Sequence, residues 1–103
     1  MGDRMNEKNK DKFLKRYITN KDELVLLNEL EQSDTVNQRR MNIKKQQEEI
    51  ENILNNVRDT KERIVLQRKY YLGETEEVIA EKINYSKSQT RRIIKKAIEN
   101  LKM

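Results

Sequence analysis

A chain of 103 residues with no proline and only two glycines, Gly2 and Gly73, has few means of interrupting a helix. Proline removes a backbone donor and glycine supplies positive φ cheaply, so turns here must be made by Asn, Asp, Ser and Thr. An all-α fold follows. Hydrophobic residues make up 34% of the chain and charged residues 40%. Such a chain forms one small domain, or a small domain plus an extension, in which each helix buries a single stripe. A large single core is not expected. Cysteine and histidine are absent, which excludes a disulfide framework, a thiolate metal site and imidazole bases; no metal or cofactor is expected. No apolar run approaches the ~18 residues of a membrane span and no signal-peptide core is visible, so a cytoplasmic protein that does not enter membranes is expected. Glu76, Glu77 and Glu81 share one helix, but no histidine, cysteine or glycine-rich loop accompanies them. Charge balance accounts for them, and an enzyme is not expected.

Charge is unevenly placed. Residues 86–103 hold Lys87, Arg91, Arg92, Lys95, Lys96 and Lys102 against Glu99 alone, a net charge of +5. Residues 1–85 hold 17 cations and 17 anions. The whole excess therefore sits on one predicted helix, whose natural partner is a polyanion, most commonly nucleic acid.

Along the chain, residues 1–9 are polar and aperiodic and are expected to be disordered. A helical region is expected over 10–58. Phe13, Leu14, Tyr17 and Ile18 recur at helical spacing, Thr19 and Asn20 interrupt, and Leu24, Leu27 and Leu30 mark a second short helix. Ser33 and Asp34 are N-cap candidates for a long amphipathic helix near 35–58. Val36, Ile43, Ile50 and Val57 fall seven apart, and Ile53 and Leu54 fill the second heptad position once. Arg39, Arg40, Gln46 and Gln47 occupy it elsewhere. Val36, Ile43, Ile50, Ile53 and Val57 are thus a candidate homodimer seam with a weak second row. The alternative is that the same stripe packs on Phe13, Leu14, Leu27 and Leu30 of its own chain.

Residues 59–103 form the third segment. Asp59 and Glu62 have the spacing of a capping box, Ile64, Val65, Leu66, Tyr70, Tyr71 and Leu72 give the next helix a broad apolar face, and Gly73 ends it. Thr75 caps the helix after that, with Glu76 and Glu77 in its first turn. Ile79, Ala80 and Ile83 point inward. Ala80 is small where a second helix would cross closely, and Asn84, four positions later, tolerates positive φ. Ser86 and Gln89 form another capping box. On the last helix Thr90, Ile93, Ile94, Ala97 and Leu101 cluster on one side. Ser88, Arg91, Arg92 and Lys95 lie opposite, flanked by Lys87, Gln89 and Lys96. This is the pattern of a helix-turn-helix whose second helix reads the major groove of double-stranded DNA.

The stretch ERIVLQRKYYLGETEEVIAEKINYSKSQTRRIIKKAIENL (62–101) resembles the fourth region of bacterial sigma factors. It shares an apolar helix ending in a basic–tyrosine pair and glycine, then Thr-x-Glu-x-Ile-Ala, then a serine-capped helix closing on Lys96, Ala97 and Leu101. It is most similar to the sigma-like regulators of the ArpU and RinA type, small proteins of Gram-positive phages and prophages that control late gene expression. The resemblance covers about two-fifths of the chain well, residues 36–60 loosely and residues 1–35 not at all. Thr90 stands where valine is usual, Glu76 replaces a common aromatic and Asn84 replaces glycine. The resemblance implies promoter-region DNA as ligand inside a bacterial host cell, with Lys87, Ser88, Gln89, Arg91, Arg92 and Lys95 facing DNA and Thr75 meeting a phosphate. It leaves open a phage DNA-packaging subunit of small-terminase type, and a sigma-like adaptor that touches RNA polymerase more than DNA.

Overall fold

The computed structural model describes residues 5–103, in which there are six helices and no strand. They are α1 (Glu7–Leu14), α2 (Arg16–Glu29), α3 (Asp34–Asn55), α4 (Thr60–Tyr71), α5 (Glu76–Ile83) and α6 (Lys87–Asn100). The helix starts follow the capping chemistry written in the sequence. Ser33 accepts from the Val36 N–H, Asp59 from Glu62, Thr75 from Val78 and Ser86 from Gln89. At Asp59 only half of the expected box forms, because the Glu62 carboxylate instead accepts from the Asn100 amide at 3.4 Å. Gly73 has φ +67° as the left-handed stop requires, and a Cβ there would meet Ile18 Cδ1 at 2.7 Å. Backbone conformation therefore selects glycine, whereas the Ile18 methyl ends a flexible side chain and can move aside.

Two N-terminal expectations are corrected. Disorder over residues 1–9 does not hold for its described part, since α1 begins at Glu7 with Asn6 accepting from the Asn9 N–H at 2.8 Å; residues 1–4 lie outside the described residues. The break at Thr19 and Asn20 does not occur either. The chain bends at Lys15, and α2 runs on through Asn20, which is 6% exposed. Its amide donates across to Gln46 at 2.7 Å and Gln47 at 2.8 Å, while Gln47 donates to the Tyr17 carbonyl at 3.0 Å. Asn breaks a helix when its side chain turns back on its own backbone; partners on α3 remove that competition.

The molecule measures 48 × 37 × 20 Å, about two helix diameters thick. Nearly every helix keeps an exposed face, which accommodates so high a charge content. α4 lies at the centre and contacts α2, α3, α5 and α6, while α1 bridges α2 and α6. Leu14, Ile50 and Leu54 join Val65, Leu66, Tyr70, Ile79, Ile94, Ala97, Ile98 and Leu101 in one buried cluster. The division expected near residue 58 is therefore not a division of the core. The heptad row also turns inward within one chain. Ile43 and Ile50 are 3% and 0% exposed, Val36 is half-buried, and Ile53 and Val57 pack against the cluster. The dimer-seam assignment is corrected accordingly, because α2 and α4 already cover the face that a second copy would have needed. Ile64 on α4 and Leu72 just after it turn out to be exposed rather than part of the apolar face.

Polar groups tie α1 to the rest. Tyr70 donates to Asp11 at 2.6 Å. Burial pushes the Asp11 carboxyl up, but the hydrogen bonds from Tyr70 and Lys15 outweigh it and hold its pKa below the ordinary value. This stabilisation is present above the unfolded carboxylate value and is lost as pH falls through the folded one. Lys10 is buried, and its ammonium donates to the carbonyls of Ile98 at 3.1 Å, Glu99 at 3.2 Å and Leu101 at 2.8 Å. The last carbonyls of a helix lack intrahelical partners and carry the negative end of its dipole, so a cation is favoured there. Lys10→Met keeps the aliphatic stem and removes the donors. It is expected to cost about 2 kcal/mol in urea denaturation; a loss below a few tenths would mean that water replaces the ammonium.

Candidate nucleic-acid interface

α5 and α6 are joined by Asn84, Tyr85 and Ser86. Asn84 takes φ +62° and ψ 44°, the left-handed conformation that asparagine tolerates, and the Tyr85 N–H returns to the Ala80 carbonyl at 2.9 Å. From α4, the Lys61 ammonium lies 4.5 Å from the Tyr85 ring centroid and donates to its hydroxyl, bracing the turn. Ser86 and Gln89 complete a reciprocal capping box at the start of α6. Ala80 is 6% exposed where α5 packs on α6. Ala80→Leu is expected to overpack this crossing and cost about 1–3 kcal/mol, whereas exposed Glu81→Gln should leave the melting temperature unchanged. Equal losses would refute the helix phase.

The buried face of α6 comprises Thr90, Ile94, Ala97 and Ile98, with Ile93 half-buried and Leu101 buried just beyond the helix. Ile98 is the addition that the inward set lacked. Thr90 is fully buried without penalty because its hydroxyl donates to the Ser86 carbonyl at 2.9 Å. That bond lets a hydroxyl-bearing side chain occupy a position inside the core.

Lys87, Ser88, Gln89, Arg91, Arg92, Lys95 and Lys96 are all exposed, and together they form one continuous face of α6. They do not play equivalent parts. The Gln89 side-chain oxygen accepts from the Ser86 N–H at 3.1 Å, so only its amide N–H groups remain for a ligand. The Thr75 hydroxyl oxygen accepts from the Val78 N–H at 3.3 Å at the start of α5, which leaves its O–H free to donate. Lys96 lies on the flank, lining a cleft of about 720 Å³ together with Asn52, Val57 and Arg58. Arg91 Nε donates to Glu76 at 3.1 Å and Lys87 to Glu77 at 3.3 Å. The Glu77 carboxyl sits below its ordinary value, first through its own backbone N–H at the helix start and then through Lys87. Sequence alone assigns these two glutamates to charge balance. Their spacing, 15 residues from Glu76 to Arg91 and 10 from Glu77 to Lys87, becomes contact only when α5 and α6 cross.

No helix among the described residues is long and apolar enough to cross a membrane. Compared with known proteins, the chain matches no family model, no curated protein and no solved structure.

Proposed function

We propose that the chain is a sequence-specific DNA-binding regulator of transcription, of the kind that controls late genes in phages and prophages. In this reading α5 and α6 act as a helix-turn-helix and α6 lies in the major groove of double-stranded DNA. The observation that carries it is the coincidence of charge and exposure on α6. The segment that holds the whole net charge of +5 buries its apolar side and leaves Lys87, Ser88, Arg91, Arg92 and Lys95 uncovered on the other. The cap of Thr75 at the start of α5 fits a supporting role at the phosphate backbone through helix N–H groups. The test is selection of bound duplexes from random DNA at defined salt. Enrichment of a common site supports the reading, and recovery of unselected sequence refutes it. Paired half-sites about one helical turn apart would require self-association through a surface other than the buried row of α3.

A second reading, an adaptor that touches RNA polymerase, is favoured by the acidic stretch from α2 into the start of α3. Residues 19–36 carry Asp22, Glu23, Glu29, Glu31 and Asp34 against Lys21 alone. Among them Val25, Leu26 and Leu30 are 59%, 54% and 44% exposed. An apolar patch with an acidic rim suits a basic protein surface. Pull-down with polymerase in the presence of nuclease separates the two readings, since binding that survives nuclease does not pass through DNA.

A further inference from the structure

Building on the DNA-binding reading, we infer that Glu76 is a positioning residue that makes Arg91, alone among the cations of α6, the reader of a guanine. Arg91 Nε donates to Glu76 Oε1 at 3.1 Å across the α5–α6 crossing. The Arg91 side chain is nevertheless 63% exposed. Holding Nε leaves the two terminal nitrogens as a planar fork, the donor pair that matches O6 and N7 of guanine in the major groove. It also removes part of the rotamer freedom that the side chain would otherwise lose on binding. The carboxylate has a second effect: it sits beside Arg91 as an anion and disfavours a phosphate at the same place. Base edge rather than backbone is then the better partner for this arginine.

The other cations differ in ways that matter. Arg92, Lys95 and Lys96 form no ion pair among the described residues. They are untethered, and they suit sequence-independent attraction to phosphates. Lys87 is held by Glu77 at 3.3 Å, but both side chains are half-exposed or more, at 50% and 67%. A lysine is also a point charge without a fork, so restraining it confers no planar recognition. The basic face thus divides into one oriented reader and several free phosphate clamps. The division is made by a glutamate on the neighbouring helix.

The experiment measures binding of wild type, Arg91→Ala, Glu76→Ala and Glu76→Gln to a selected site and to duplexes carrying each single base-pair change, with scrambled DNA alongside. Wild type should prefer guanine at one position by about tenfold or more, and Arg91→Ala should erase that preference. Glu76→Ala should reduce it to about threefold or less, while affinity for scrambled DNA stays equal or rises because an anion has left the interface. Glu76→Gln should retain most of the preference, since its amide oxygen still accepts from Nε. Thermal melting should change little in any of the three variants, because the pair is open to solvent on its Arg91 side and such pairs contribute little to stability. An unaltered guanine preference in Glu76→Ala would overturn the inference, as would equal losses on cognate and scrambled DNA. A wild type without any sequence preference would sink the DNA reading itself, and the wild-type titration alone reveals it.

Discussion

Ile50→Asp is expected to unfold the entire chain, not merely to separate two copies or loosen the N-terminal half. Ile50 is 0% exposed and shares one cluster with Leu14 of α1, Val65, Leu66 and Tyr70 of α4, and Ile94 and Ala97 of α6. The substitution removes a buried aliphatic side chain, at about 2–5 kcal/mol, and adds a carboxylate with no partner there. Small domains hold only about 5–15 kcal/mol in total. Far-ultraviolet circular dichroism should therefore show loss of helix throughout, and DNA binding should vanish with it. Met41→Asp is the control on the same helix. Met41 is 65% exposed, so that variant should melt like wild type. Wild type itself should sediment as a monomer at tens of micromolar. An Ile50→Asp protein that still melts cooperatively with α4–α6 intact would show that the two halves fold separately after all.

The second large effect is on DNA affinity. α6 presents Lys87, Arg91, Arg92, Lys95 and Lys96. If each of these except Arg91, which is assigned to a base, neutralises one phosphate, log K should fall against log salt with a slope of about −3 to −4. A fourfold rise in salt then weakens binding on the order of a hundredfold. Lys95→Gln with Lys96→Gln should flatten the slope by about two if both lysines reach phosphates. Because Lys96 lies on the flank, beside the cleft lined by Asn52 and Arg58, a change of about one would assign the contact to Lys95. No change would mean that neither lysine faces DNA. The titration needs a fixed salt series on a cognate and a scrambled duplex, since the slope should be nearly the same on both while the intercept differs.

Local chemistry is legible in the linear chain. The caps at Ser33, Asp59, Thr75 and Ser86, the left-handed residues Gly73 and Asn84, and the two faces of α6 each depend on residues close to one another in sequence. Periodicity and capping therefore suffice to place them. The all-α class follows for the same reason, since a chain without proline and with one glycine beyond residue 2 has little to stop a helix. The start of α1 escapes this kind of reading because Asn6 is a cap with few apolar residues after it. Lys10 falls on the buried stripe, four residues before Leu14, where a charge would ordinarily mark the exposed side.

The partner of each face is not encoded so locally. The heptad-spaced row of α3 has the same pattern whether it meets α2 and α4 or a second chain, because periodicity specifies that a stripe is buried and not by what. Only the tertiary structure shows that Ile43 and Ile50 are covered from within. The same holds for polar groups. Asn20 and the Gln46–Gln47 pair look like a helix break and a defective seam until α2 and α3 are laid side by side, when the Asn20 amide meets both glutamines at 2.7 and 2.8 Å. Glu76 and Arg91 are ordinary surface charges in a linear chain, and Lys10 is an anomaly. They acquire roles because hydrogen bonds and ion pairs act over about 3 Å, and only the crossing of helices brings residues so far apart in sequence within that distance.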